Sequence, residues 1–195
     1  MEKFILLIDT VTAWVGKAFA WCIMIMAVGI GYEVFVRYIM RDPTSWAFDI
    51  SYMMFGALFM MAGAYTLSTE AHVRGDVIYR LFPVRVQGSI DLVLYFIFFF
   101  PGVLALAFYG WDYAAQAWKI KETSWNSPAQ IQIYMAKSMI PLAGFLLIIQ
   151  GISEVFRSII CIQTGHWPKR ASADAEETEK VLMRTSQDQD QKDVI

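Results

Sequence analysis

The chain has 195 residues, of which 57% are hydrophobic, 15% aromatic and only 17% charged, and its formal net charge is −2. Soluble domains carry about 25% charged residues, so this balance places most of the chain out of water. No basic groove is visible for a nucleic acid, and two cysteines without a companion histidine do not make a zinc site.

Four apolar blocks stand out, roughly residues 18–36, 49–69, 90–112 and 137–160. Each is close to the ~20 residues that cross a ~30 Å hydrocarbon core as a helix. Lipid offers no partner to unpaired backbone groups, so the blocks predict an all-α membrane protein with four transmembrane helices. Residues 1–17 form an amphipathic lead-in: Phe4, Leu7, Ile8, Val11, Trp14, Val15 and Ala18 recur at helical spacing, while Asp9, Thr10, Thr12, Ala13 and Lys17 fall largely on other faces. The same stretch also reads as an earlier start of the first span. Its polar residues interrupt any secretory-signal pattern, so the amino terminus is expected to be mature.

Glu33 and Arg37, four apart, share a helical face at the end of the first span and can pair there. In the connection that follows, Asp42 before Pro43 reads as a helix start, with the aspartate capping and proline in the first turn. Trp46 then sits at headgroup depth, where indole is favoured. Gly56 and Gly63 in the second span, and Gly144 and Gly151 in the fourth, are spaced by seven and let helix backbones approach closely in lipid. These glycines, with Gln150, mark faces for packing against another helix, in this chain or in a partner. Pro101 is expected to kink the third span. Trp14, Trp111 and Trp118 read as interface anchors. Cys22 and Cys161 read as small packing residues rather than a disulfide.

One side of the predicted topology collects Lys3, Lys17, Arg74, Arg80, Arg85, Arg157, Lys169 and Arg170. The other has the smaller set Arg37, Arg41, Lys119, Lys121 and Lys137. The positive-inside bias puts both termini and the middle loop in the cytoplasm. Thr44-Ser45-Trp46 and Thr123-Ser124-Trp125 echo each other in the two outward loops, an echo read as coincidence. Residues 18–164 then form the four-helix domain and residues 165–195, polar and acidic, a disordered, flexible cytoplasmic tail.

The chemistry is sparse. The two histidines, His72 and His166, lie outside the apolar blocks, which argues against a haem-carrying anchor. There is no His-Glu-x-x-His helix, no Gly-x-Ser-x-Gly elbow and no phosphate-cradling glycine loop, so no enzyme and no cofactor are expected. Gln150 is the polar side chain expected to lie deep, bonding between helices. Glu33, Asp49, Asp91, Asp112, Glu154 and Arg157 sit toward span ends, where charged groups reach water or headgroups. A carrier site at the midplane is not seen, and the chain reads as a helper of something larger.

Arg37-Tyr38 leaving the first helix, Pro43-Thr44-Ser45-Trp46 entering the second, His72-Val73-Arg74-Gly75-Asp76 after it, and Ile133-Tyr134 followed by Pro141 into the fourth give the chain a family likeness. It resembles the small membrane subunit of tripartite ATP-independent periplasmic (TRAP) transporters over the four-helix region. The family often has an acidic pair after the loop tryptophan; here Ala47-Phe48-Asp49 keeps one acid and shifts it. The resemblance implies a sodium-coupled, binding-protein-dependent secondary transporter for organic acids in the bacterial inner membrane. Its partners would be a large permease subunit, a periplasmic substrate-binding protein and membrane lipid. The small subunit is then a scaffold that braces the permease, with Arg37, Arg41, Trp46, Lys119, Lys121 and Trp125 forming part of the docking surface for the binding protein. Gly56, Gly63, Gly144, Gln150 and Gly151 would pack against the large subunit. A four-helix membrane adaptor or sensor unrelated to transport is the alternative.

Overall fold

The computed structural model describes residues 2–69, 79, 81–168 and 170. Helix α1 runs from Glu2 to Phe35 and ends in a π-helical turn, Val36–Met40. Helix α2 spans Ala47–Ser68, α3 Val84–Leu94 and α4 Phe100–Ile120, with a second π turn, Tyr95–Phe99, joining α3 to α4. A short α5, Tyr134–Lys137, leads into α6, Met139–Thr164. Four stretches are long and apolar enough to cross a membrane: Lys3–Met40, Ala47–Ser68, Val84–Ile120 and Tyr134–Thr164. Among the described residues no strand forms, only an isolated antiparallel bridge between Thr123 and Gln132.

Helix α6 organises the bundle, since it meets α1, α2, α3 and α4, while α1 pairs chiefly with α2. Its partner α4 buries Val103, Ala107, Gly110, Ala114 and Ala117. These positions alternate by four and three residues, which keeps one face on a neighbouring helix. Small side chains along that seam let the two backbones close up: a Cβ at Gly144 would meet the Cα of Ala107 at 3.0 Å, and one at Gly110 would meet Ile140 at 2.8 Å. Gly16 plays the same part between α1 and α2, against Tyr65. Dispersion between such surfaces drives association in lipid, where the hydrophobic effect offers little between apolar helices.

Several sequence expectations change here. No break marks the expected boundary near residue 17, because α1 is one helix of 34 residues. Its buried stripe near the amino terminus is Ile5, Ile8, Asp9 and Thr12, while Leu7, Val11 and Trp14 are exposed. Of the expected apolar face Ile8 is buried, but Leu7, Val11 and Trp14 face outward, as lipid permits, while the polar Asp9 and Thr12 turn into the bundle. Nor does α2 start at Asp42-Pro43. It begins at Ala47 with Trp46 at the cap position, because Arg41 takes a left-handed conformation and Thr44 is held back by the Glu33 carboxylate. The disturbance expected at Pro101 is local: the α-helical pattern gives way to a π turn just before it. Proline cannot donate to the carbonyl four residues back and clashes with it; the π turn directly before it absorbs that misfit within a continuous span from Val84 to Ile120.

Candidate functional site: two inward-facing polar belts

Several polar groups at the span ends, Asp9, Asp49, Glu154 and Arg157 among them, are buried and bonded within the chain, while Asp112 and Lys119 stay exposed. Asp9 and Glu33 lie 24 residues apart on α1, roughly 36 Å along the axis. Those two carboxylates mark two polar belts on either side of an apolar slab about as thick as a bilayer core.

At the Asp9 end, Asp9, Gln150, Glu154 and Arg157 are each 2% exposed or less. Arg157 Nη2 donates to Asp9 Oδ2, and Gln150 Nε2 donates to Asp9 Oδ1 at 3.0 Å. Gln150 is thus the deep interhelical hydrogen bond expected from the sequence, made from α6 to α1 of the same chain. Arg170 completes this belt by forking onto Glu154, at 2.9 Å to Oε1 and 2.8 Å to Oε2. It was assigned to the flexible tail, yet it is only 9% exposed. The remainder of the tail, residues 171–195, and the His72-to-Asp76 motif lie outside the described residues.

At the Asp49 end the start of α2 is joined to the loop between α4 and α5. Asp49, in the first turn of α2, is 1% exposed and accepts hydrogen bonds from Ser124 Oγ, at 2.8 Å, and from Ser127 Oγ. A carboxylate at a helix amino terminus is favoured by the helix dipole as well. The loop from Lys121 to Ile133 is itself shaped by the Thr123–Gln132 bridge and by Ser124 N–H donating to Ile131 O at 2.7 Å. Its base is pinned by Lys137 Nζ, which donates to both Glu122 oxygens at 2.6 Å and lies 4.1 Å from the Tyr113 ring centre. The first loop folds onto α1 instead. Glu33 accepts from Arg37 Nη2 at 2.6 Å, from Thr44 N–H at 3.1 Å and from the Thr44 hydroxyl. The Trp46 ring stacks on Tyr32 at 6.1 Å.

The sequence-predicted loop residues therefore fall into different settings. Arg41 and Lys121 are the left-handed residues that end the first and third spans, with φ of 57° and 48°. Arg37 is exposed but paired with Glu33. Lys119 is exposed in the last turn of α4, and the Trp125 side chain stands bare at 92% exposure. Trp118 is held by a hydrogen bond from its indole N–H to Ser138 Oγ at 2.7 Å and by Tyr134, 4.5 Å between ring centres. Trp14 and Trp111 are open to the surroundings. The two Thr-Ser-Trp copies are not equivalent: Thr44 bonds Glu33, whereas in the second copy it is Ser124 that bonds Asp49.

The packing residues divide as well. Gly144, Gln150 and Gly151 are filled by Ala107, Asp9 and Phe99 of the same chain. Among the described residues, a Cβ at Gly63 would meet Leu147 alone, at 4.0 Å, and one at Gly56 would meet nothing within 4 Å. Gly56 lines a groove of about 220 Å³ with Tyr52, Phe55, Met60, Tyr113 and Ile140. Sequence reasoning missed Asp49, Ser124 and Ser127 as a unit, since partners 75 and more residues apart leave no local signal. It missed the small-residue seam of α4 because alanines rather than glycines carry most of it.

Four apolar spans with polar groups turned inward at both ends define an integral membrane helical bundle. The chain matches, over residues 26–161, the family model described as Tripartite ATP-independent periplasmic transporters, DctQ component. It belongs to that family, the small permease component of TRAP transporters, whose systems also comprise a large permease and a binding protein. No curated protein matches the chain.

Proposed function

We propose that this chain is the scaffold subunit of a sodium-coupled, binding-protein-dependent transporter that takes up organic acids across the bacterial inner membrane, with both termini in the cytoplasm. The observation that carries the reading is the clamp at Asp49. By joining the start of α2 to the Lys121–Ile133 loop it makes one platform from a helix start and a loop, on the side where a periplasmic protein would land. A large permease whose carrier domain moves needs a part that stays still. A bundle whose buried charges are bonded within the chain is suited to be that part, because holding still spares those groups from being re-paired during the cycle.

Arg41, Lys119 and Trp125 point the platform toward an acidic patch on the binding protein, where charge complementarity sets capture rate more than final affinity. The Gly56 groove on α2, bounded by exposed Tyr52 and Phe55, is the packing face offered to the large subunit. The double charge reversal R41E/K119E tests the docking surface in the reconstituted three-component transporter. Uptake at limiting binding protein should fall roughly tenfold and recover at saturating binding protein, with the two membrane subunits still copurifying. Unchanged uptake at limiting binding protein removes the docking surface from the proposal.

A further inference from the structure

We infer that the segment after α6 is a latch, with Arg170 as its bolt and the ends of α2 and α6 as its keeper. Gly165, at φ 77°, ends α6 and turns the chain back toward the bundle, and its N–H donates to Cys161 O at 2.8 Å. The Arg170 guanidinium then does two things at once. It forks onto Glu154 of α6, and it donates from Nη1 to Ser68 O at 2.8 Å and Leu67 O at 3.5 Å. The last carbonyls of a helix lack intrahelical donors and carry the negative end of its dipole, so a cation there satisfies α2 while tying it to α6.

Charge makes the latch obligatory for the closed state. The buried belt contains Asp9 and Glu154 as acids and Arg157 and Arg170 as bases. Arg157 Nη2 is given to Asp9, and its Nε stands 3.8 Å from Glu154 Oε1, beyond hydrogen-bond distance. The neutral partner set of Glu154 therefore runs through Arg170, which lies beyond the membrane spans. Withdrawing Arg170 leaves a carboxylate at 2% exposure without its bidentate donor, a strongly unfavourable state in a poorly solvated site. The packing of α2 on α6 at the Asp9 end is thus coupled to the docking of the C-terminal segment, independently of what the assembly transports.

The test uses the full chain in detergent, comparing wild type, Arg170→Met and Glu154→Gln/Arg170→Met. Arg170→Met is expected to lower Tm by roughly 6–15 °C and to speed hydrogen exchange at least tenfold at the Gly165 amide, which donates to Cys161 O where the segment turns back. In the double variant the buried charge is gone as well, so Tm should return most of the way to wild type while exchange at Gly165 stays fast. That separation of stability from latching is the signature of the device. Wild-type Tm and exchange in Arg170→Met, or a double variant melting no higher than Arg170→Met, overturns it.

Discussion

Asp49 shows how much one side chain can carry in this chain. Buried and accepting from two serines of a distant loop, it replaces water for its own charge and supplies a partner to Ser124 and Ser127. Asp49→Ala is expected to lower stability by about 2 kcal/mol and to raise proteolysis of the Lys121–Ile133 loop, which limited digestion of the purified chain reads directly. Asp49→Asn, which keeps acceptor oxygen, should lose less. Lys121 poses a different question at the same scale, since its left-handed backbone disfavours any side chain. Lys121→Gly should be as stable as wild type or more stable by about 1 kcal/mol in a thermal melt. Impaired capture of the binding protein by such a stable variant would assign the side chain a docking role rather than a structural one.

At the scale of elements, the α4–α6 contact is a close one that involves backbone. Gly110 and Gly144 admit no Cβ without displacing Ile140 or the Ala107 backbone. Gly144→Leu is therefore expected to destabilise the chain itself by about 1–3 kcal/mol, measured without the large subunit present. Gly56→Leu should do the opposite: the isolated chain melts as wild type, because a Cβ there meets nothing within 4 Å among the described residues, while copurification with the large subunit weakens. Number and order of the spans were legible from the apolar blocks, because lipid permits few alternatives to a helix, whereas the starts of the first span and of α2 were not. Less legible was which face each helix buries. In water the apolar face of residues 4–18 would be the core; in lipid much of it, Leu7, Val11 and Trp14, lies outside, and Asp9 and Thr12 go in beside Ile5 and Ile8. The Glu33–Arg37 pair was readable because i,i+4 spacing is local. The Asp9–Arg157, Glu154–Arg170 and Asp49–Ser124 contacts were not, because they join residues whose proximity is a property of the bundle.

For the whole molecule, two polar belts and an apolar slab between them describe a body that keeps its shape. Each belt ties together elements that are distant in sequence, α1 to α6 and α2 to the C-terminal segment at one end, α2 to the loop before α5 at the other. Membership of the DctQ family gives such a body a place beside a large permease and a binding protein. What separates a static brace from a moving carrier is whether these ties open during the cycle. The direct measurement is uptake by the complete three-component transporter carrying Asp49→Cys and Ser127→Cys in a background with Cys22 and Cys161 replaced by serine. Uptake of the acid captured by the cognate binding protein is compared after oxidation and after reduction. The account predicts equal rates, because the covalent bond replaces a contact that never opens. Uptake lost on oxidation and regained on reduction would contradict it, and would make this chain part of the moving machinery.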